Sequence, residues 1–131
     1  MPYSPEMNIN TIIWGRAFEI RVVFDVFPDE HISEQQIHSY EAFMNSKDKI
    51  FEDAYNKIKS YCLNYFSDYV DKDFKNIFSY VIPKSLYIRR ENDDRHVVGI
   101  MCIFRYDSEN QLVALVENEC VTKIGNQDII L

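Results

Sequence analysis

The hydrophobic period of this chain changes twice, and those two changes restrict its fold more than any other feature. From Ala17 to Phe27 apolar residues alternate: Phe18, Ile20, Val22, Phe24 and Val26 share one parity. Glu19, Arg21 and Asp25 share the other, with Val23 the apolar exception. A period of two is that of a half-buried strand. From Ser33 the spacing lengthens to three and four, the period of a helix. From Lys84 to the end it shortens again.

The helical stretch opens with its own start signal. Ser33 and Gln36 have the spacing of a capping box, and Ile32 with Ile37 that of a hydrophobic staple. Ile37, Tyr40, Phe43 and Met44 form the predicted buried stripe. Asn45-Ser46 interrupts it, and Ser46 is placed to cap a second helix of about 20 residues. Along that helix Ile50, Ala54, Ile58, Tyr61, Tyr65 and Tyr69 recur, widened by Phe51, Tyr55, Cys62 and Phe66. Asp53 and Lys57 are an i,i+4 pair. A shorter helical piece is expected through Phe74, Ile77 and Phe78.

Extended segments surround this block. Ile9–Trp14 and Ala17–Phe27, parted by Gly15-Arg16, precede it, and residues 1–8 read as a loose lead-in. After it come Leu86–Arg90 and Val97–Tyr106, the latter apolar on both parities as in a sheet centre. A turn over Asp107–Gln111 leads to Leu112–Val116. A second turn at Glu117-Asn118-Glu119 leads to Cys120–Ile124, and Ile129–Leu131 is expected as a short last strand. Strands, then helices, then strands predict one α+β domain over residues 1–131. Its sheet is mainly antiparallel, with two to three helices inserted between the N-terminal and C-terminal strands and packed on one face.

Composition narrows function by exclusion. Three glycines with no G-x-G or G-K-[ST] leave no phosphate cradle. A net charge of −7 repels nucleic-acid backbones. Arg89-Arg90 and the lysines Lys47, Lys49, Lys57 and Lys59 make no phosphate track. The apolar run Val97–Phe104 is too short to cross a bilayer. Residues 1–6 show no secretory pattern. Cys62, Cys102 and Cys120 are odd in number, widely spaced and set among apolar neighbours, as in a reduced cytoplasmic protein.

Catalytic and metal chemistry finds little support. Glu34 and His38 offer two i,i+4 ligands, with His31 nearby, short of a zinc set. Asp107 and Glu109 are ordinary turn residues. His96 lies roughly 35 Å along an extended strand from them and instead approaches the turn at Glu117 and Glu119. Ionisable groups are thus expected on separate rims, with no cofactor and no catalytic set. Acidic turns remain, and Asp107, Glu109, Asn110, Glu117 and Glu119 are the expected partner-facing residues for a basic protein. The alternative is a small-molecule binder or small enzyme with a pocket between sheet and helices, where Tyr61 and Tyr65 supply hydroxyls.

The later half carries a resemblance. Ile82–Ile88, Gly99–Asn110 and Val121–Gly125 resemble a family of uncharacterised small bacterial proteins in which one strand ends in a Trp-Asp-x-Glu-His-Gly-like turn. Here Tyr106 stands for the Trp, Asn110 for the His and Gln111 for the Gly. The resemblance implies a cytosolic α+β domain of the kind suspected, in some members, of immunity to secreted toxins. A catalytic role for the turn histidine does not transfer to Asn110.

Overall fold

Among the described residues six strands lie in the sheet in the order in which they occur in the chain, and only one neighbouring pair is parallel. The computed structural model describes residues 3–131. The strands are β1 (Glu6–Ile13), β2 (Arg16–Phe24), β3 (Val81–Ile88), β4 (Val97–Phe104), β5 (Asp107–Glu117) and β6 (Cys120–Asn126). Helices α1 (Glu34–Asn45) and α2 (Lys47–Tyr65) fall between β2 and β3. That placement explains the parallel pair: tight turns join antiparallel strands, whereas parallel neighbours need a long crossover. The α+β class with a mostly antiparallel sheet is as the period changes indicate.

Local signals place α1. Ser33 and Gln36 form the reciprocal capping box. Gln36 is fully buried, and its amide donates to the carbonyls of Asp25 (2.9 Å) and Ile88 (3.2 Å), at the ends of the parallel strands. A buried amide needs such partners, so Gln36 pins the helix start to the β2–β3 junction. Ser46 closes α1, donating its backbone N–H to Phe43 at 3.0 Å, but its hydroxyl makes no capping bond to α2.

The main core lies between the helices and one sheet face, where Ile20, Val22, Phe24, Leu86, Ile88, Ile100 and Val116 meet Phe43, Ile50, Ala54 and Ile58. On the opposite face Val97, Met101, Val113 and Leu115 are buried by Ile130. The expected last strand is therefore a correction. Gln127–Ile129 is a 3₁₀ turn, and the chain folds over the sheet behind it. The Gln127 side chain holds the fold-back, accepting from the Gln111 N–H and donating to Asn110 Oδ1, both at 2.8 Å. Gly99 makes room for it, because a Cβ there would sit 2.6 Å from Ile130 Cδ1.

Other expectations are corrected too. Strand β1 starts at Glu6, so residues 6–8 of the expected lead-in are paired with β2, while Met1 and Pro2 lie outside the described residues. Strand β2 ends at Phe24, short of Phe27. The third helical piece is only a 3₁₀ turn, Ile77–Ser79. Tyr65 and Tyr69 leave the buried stripe and are largely exposed. The β4–β5 reversal is made by Arg105-Tyr106, one step before the expected turn. Asp107 already pairs with Phe104, and residues 108–110 bulge because the Asp107 carboxylate accepts from Asn110 N (3.2 Å) and Nδ2 (3.0 Å).

Candidate binding cleft

Strand β5 separates the expected partner-facing residues. Asp107, Glu109 and Asn110 are at its start, Glu117 at its end and Glu119 in the turn beyond; Asp107 pairs with Phe104 and Glu117 with Val97, which puts the two groups about 24 Å apart along the sheet. Asp107 holds Asn110, and Asn110 holds Gln127. Glu117 accepts from the Thr122 hydroxyl at 2.7 Å. Glu119 meets His96 Nδ1 at 2.8 Å, the approach expected from strand geometry. Glu109 is exposed and makes no side-chain bond among the described residues.

One of the rims gathers several charged groups. Beside His96, Arg89 bonds Glu91 at 2.6 Å, and Arg95 bridges Glu91 (3.4 Å) and Asp93 (3.2 Å). Adjacent residues on one strand end and the following loop bring these charges together. They neutralise one another on an open rim. Cysteines differ as well. Burial pushes the Cys62 thiol up to about 11 and the Cys102 thiol to about 12, whereas Cys120, expected among apolar neighbours, is exposed at the start of the edge strand.

The cavity expected near Tyr61 and Tyr65 is about 20 Å³, with Tyr61 on its wall and Tyr65 absent from it. That volume accommodates little more than one water molecule. A larger cleft, about 340 Å³, opens where the β1–β2 turn meets α2. Ile12, Trp14 and Gly15 line one side, and Asp48, Phe51, Glu52 and Tyr55 the other. The four α2 residues sit at i, i+3, i+4 and i+7, one continuous stripe of a helix.

The turn itself is unusual. Trp14 and Gly15 both have positive φ, 53° and 82°, as a two-residue hairpin of type I′ requires. Glycine adopts that conformation freely, but a bulky side chain pays a conformational cost. Trp14 is held there from above. Its indole N–H donates to the Phe51 carbonyl at 2.8 Å, and its ring packs on Tyr55 and Phe78 with centroids 6.2 and 6.0 Å away.

The cleft is thus aromatic on its walls and acidic at its rim. Asp48 has only Lys47 nearby, at 3.5 Å, and Glu52 has no ion-pair partner among the described residues. Two carboxylates four residues apart on a helix repel by a few tenths of a kcal/mol. A cation placed between them would relieve that repulsion, and aromatic faces attract cations. Next to the turn, the Arg16 guanidinium already lies 4.1 Å over the Phe78 ring. The cleft is absent from the sequence reading, although Trp14-Gly15 beside a half-acidic, half-aromatic helix stripe was a usable signal.

No helix among the described residues is long and apolar enough to cross a membrane. Comparison with curated proteins and with solved structures yields no match. A protein-family profile described as a domain of unknown function, DUF6985, matches residues 3–131. Spanning nearly the whole fold described above, that match makes the chain a member of the DUF6985 family of domains of unknown function.

Proposed function

We propose that this domain is a non-catalytic binding module for a basic protein, and that the Trp14 cleft is the point of engagement. The observation that carries this reading is that Asp48, met only by a 3.5 Å contact from Lys47, and Glu52, with no ion-pair partner among the described residues, share one open cavity with the aromatic walls of Trp14, Phe51 and Tyr55. The net charge of −7 supports it by favouring encounter with a basic surface. Of the five residues expected on the partner surface, Glu109 keeps its carboxylate free of side-chain bonds among the described residues. Asp107, Asn110, Glu117 and Glu119 hold the hairpin ends, and the three carboxylates among them contribute to the long-range field. An immunity-type role, masking a basic toxin in a bacterial cytoplasm, is the narrower form of this reading and rests on charge and on the family resemblance.

Trp14 is the only tryptophan, so intrinsic fluorescence reports directly on the cleft. Titration with acetyl-Gly-Arg-Gly-Arg-Gly-amide should give a saturable change in emission. The double substitution Asp48→Asn, Glu52→Gln should weaken it about tenfold or more, the scale of one lost charge-assisted contact. Equal binding by the double variant, or no saturable change, would remove the reading.

A further inference from the structure

We propose that the basic partner docks as an added strand on the outer edge of β1, setting one cationic side chain in the Trp14 cleft. The inference rests on the cleft reading and adds a separate surface to it. Strands β1 and β6 are the two edges of the sheet. They are protected very differently.

Alternation of the ladder shows which backbone groups of β1 are free. In an antiparallel pair, every second pair of residues exchanges both hydrogen bonds. The residues flanking the two-residue turn, Ile13 and Arg16, are such a pair, and so in steps of two are Thr11 with Phe18, Ile9 with Ile20 and Met7 with Val22. The count closes correctly at the far end, where Phe24 N–H donates to Pro5 O at 2.8 Å. The N–H and C=O groups of Asn8, Asn10 and Ile12 therefore point away from β2. Among the described residues no backbone or side-chain group bonds to them.

Edges usually carry a defence against pairing: a bulge, a proline, a lysine or a covering segment. Strand β6 has two of these, a register shift opposite Leu115 and Val116 and an edge lysine, Lys123. Strand β1 has eight residues in unbroken register, with no proline or lysine, and its one charged residue, Glu6, is bound to Arg21. Its free groups recur every second residue, the repeat that an incoming strand needs.

The cleft decides the occupant. Ile12 belongs both to the open edge and to the cleft lining, so a segment paired alongside Asn8–Ile12 arrives beside Asp48 and Glu52. A second copy of this chain offering β1 would bring no lysine or arginine between Glu6 and Ile13, and would meet a molecule of the same charge, −7. A basic segment of another protein fits on both counts.

The probe is the extended peptide acetyl-Thr-Val-Arg-Val-Thr-amide, compared with N-acetyl-arginine amide, which has a side chain but no strand. Binding of the peptide should slow hydrogen exchange at the Asn8, Asn10 and Ile12 amides at least tenfold, while the amino-acid amide should not. Asn10→Pro removes one outward N–H at an edge position where proline is tolerated. It should weaken the peptide about tenfold and leave N-acetyl-arginine amide binding, read by Trp14 fluorescence, unchanged. The same peptide N-methylated at its two valines tests the pairing without altering the protein and should also lose affinity. Fluorescence quenching without amide protection, or undiminished binding of the methylated peptide, overturns strand addition and leaves the cleft reading standing. Amide protection with no response to N-acetyl-arginine amide keeps strand addition and removes the cleft as its anchor. Protection of the same amides by self-association, seen in sedimentation without peptide, overturns the assignment to a partner.

Discussion

The β1–β2 and β5–β6 hairpins solve the same backbone problem with opposite residues. Both turn in two residues with positive φ at each: Trp14 and Gly15 in one, Asn118 and Glu119 in the other. Asn-Gly is the pair such a turn favours most. Each hairpin keeps half of it, Gly15 in the second place or Asn118 in the first, and puts a strained residue in the other. Each strained side chain is tied elsewhere, yet the ties differ. Trp14 is anchored in the helix layer, by a hydrogen bond to mid-helix and by aromatic packing. Glu119 reaches only to His96, just before the adjacent strand β4, in a contact still open to water. The strained conformation at Trp14 accompanies a cleft, and the one at Glu119 accompanies a partly exposed hydrogen bond.

One pair of substitutions tests that difference, because Trp14→Asn and Glu119→Gly both create an Asn-Gly turn. Trp14→Asn should destabilise the fold by about 2 kcal/mol. Losing a half-buried indole outweighs the roughly 1 kcal/mol recovered in the turn. Urea unfolding followed by circular dichroism checks it, and a midpoint equal to or above that of the parent protein would show that the indole anchor contributes little. Gly15→Ala is expected next in size, a loss of about 1 kcal/mol. A Cβ at Gly15 would meet nothing within 4 Å, so the whole effect would come from a left-handed backbone without glycine. A neutral result by the same measurement would show that the turn can relax, and would weaken the claim that Trp14 is strained.

These hairpins also show what was legible in the sequence and what was not. The α1 start was readable from Ser33, Ile32, Gln36 and Ile37, because capping is settled within a few residues. The α2 stripe is readable at Ile50, Ala54 and Ile58 but fails at Tyr65, where the helix ends, and at Tyr69 beyond it, both largely exposed with only aromatic neighbours beside them. Ile129-Ile130-Leu131 reads as a strand from its residue types alone. Its path is decided at a distance, by Gly99 leaving a notch and Gln127 holding the fold-back. The cleft was hidden for a similar reason. Trp14 reads as the last residue of an extended segment, and only the helix layer shows why it sits in a turn. Acidic residues in turns single out Asp107 and Glu117, whose bonds are local, whereas the spacing of Asp48 and Glu52 does not by itself set them apart from other charges on a helix surface.

The smallest effect is the most discriminating. Glu119→Gly relieves a left-handed residue, worth about 1 kcal/mol, and removes a His96–Glu119 hydrogen bond between groups each about a quarter exposed, worth at most about the same. The hydrogen bonds that align the turn with β4 do not involve the Glu119 side chain: His96 N–H donates to Asn118 Oδ1 at 2.9 Å and Asn118 N–H to the His96 carbonyl at 2.8 Å. The substitution should therefore raise stability slightly, by about 0.5 kcal/mol, a sign opposite to that of Trp14→Asn for the same resulting turn. A loss of 1 kcal/mol or more would mean that the His96–Glu119 pair anchors its hairpin as firmly as the indole anchors the other. The two hairpins would then be equivalent in kind, and the strained residue at Trp14 would no longer single out the cleft.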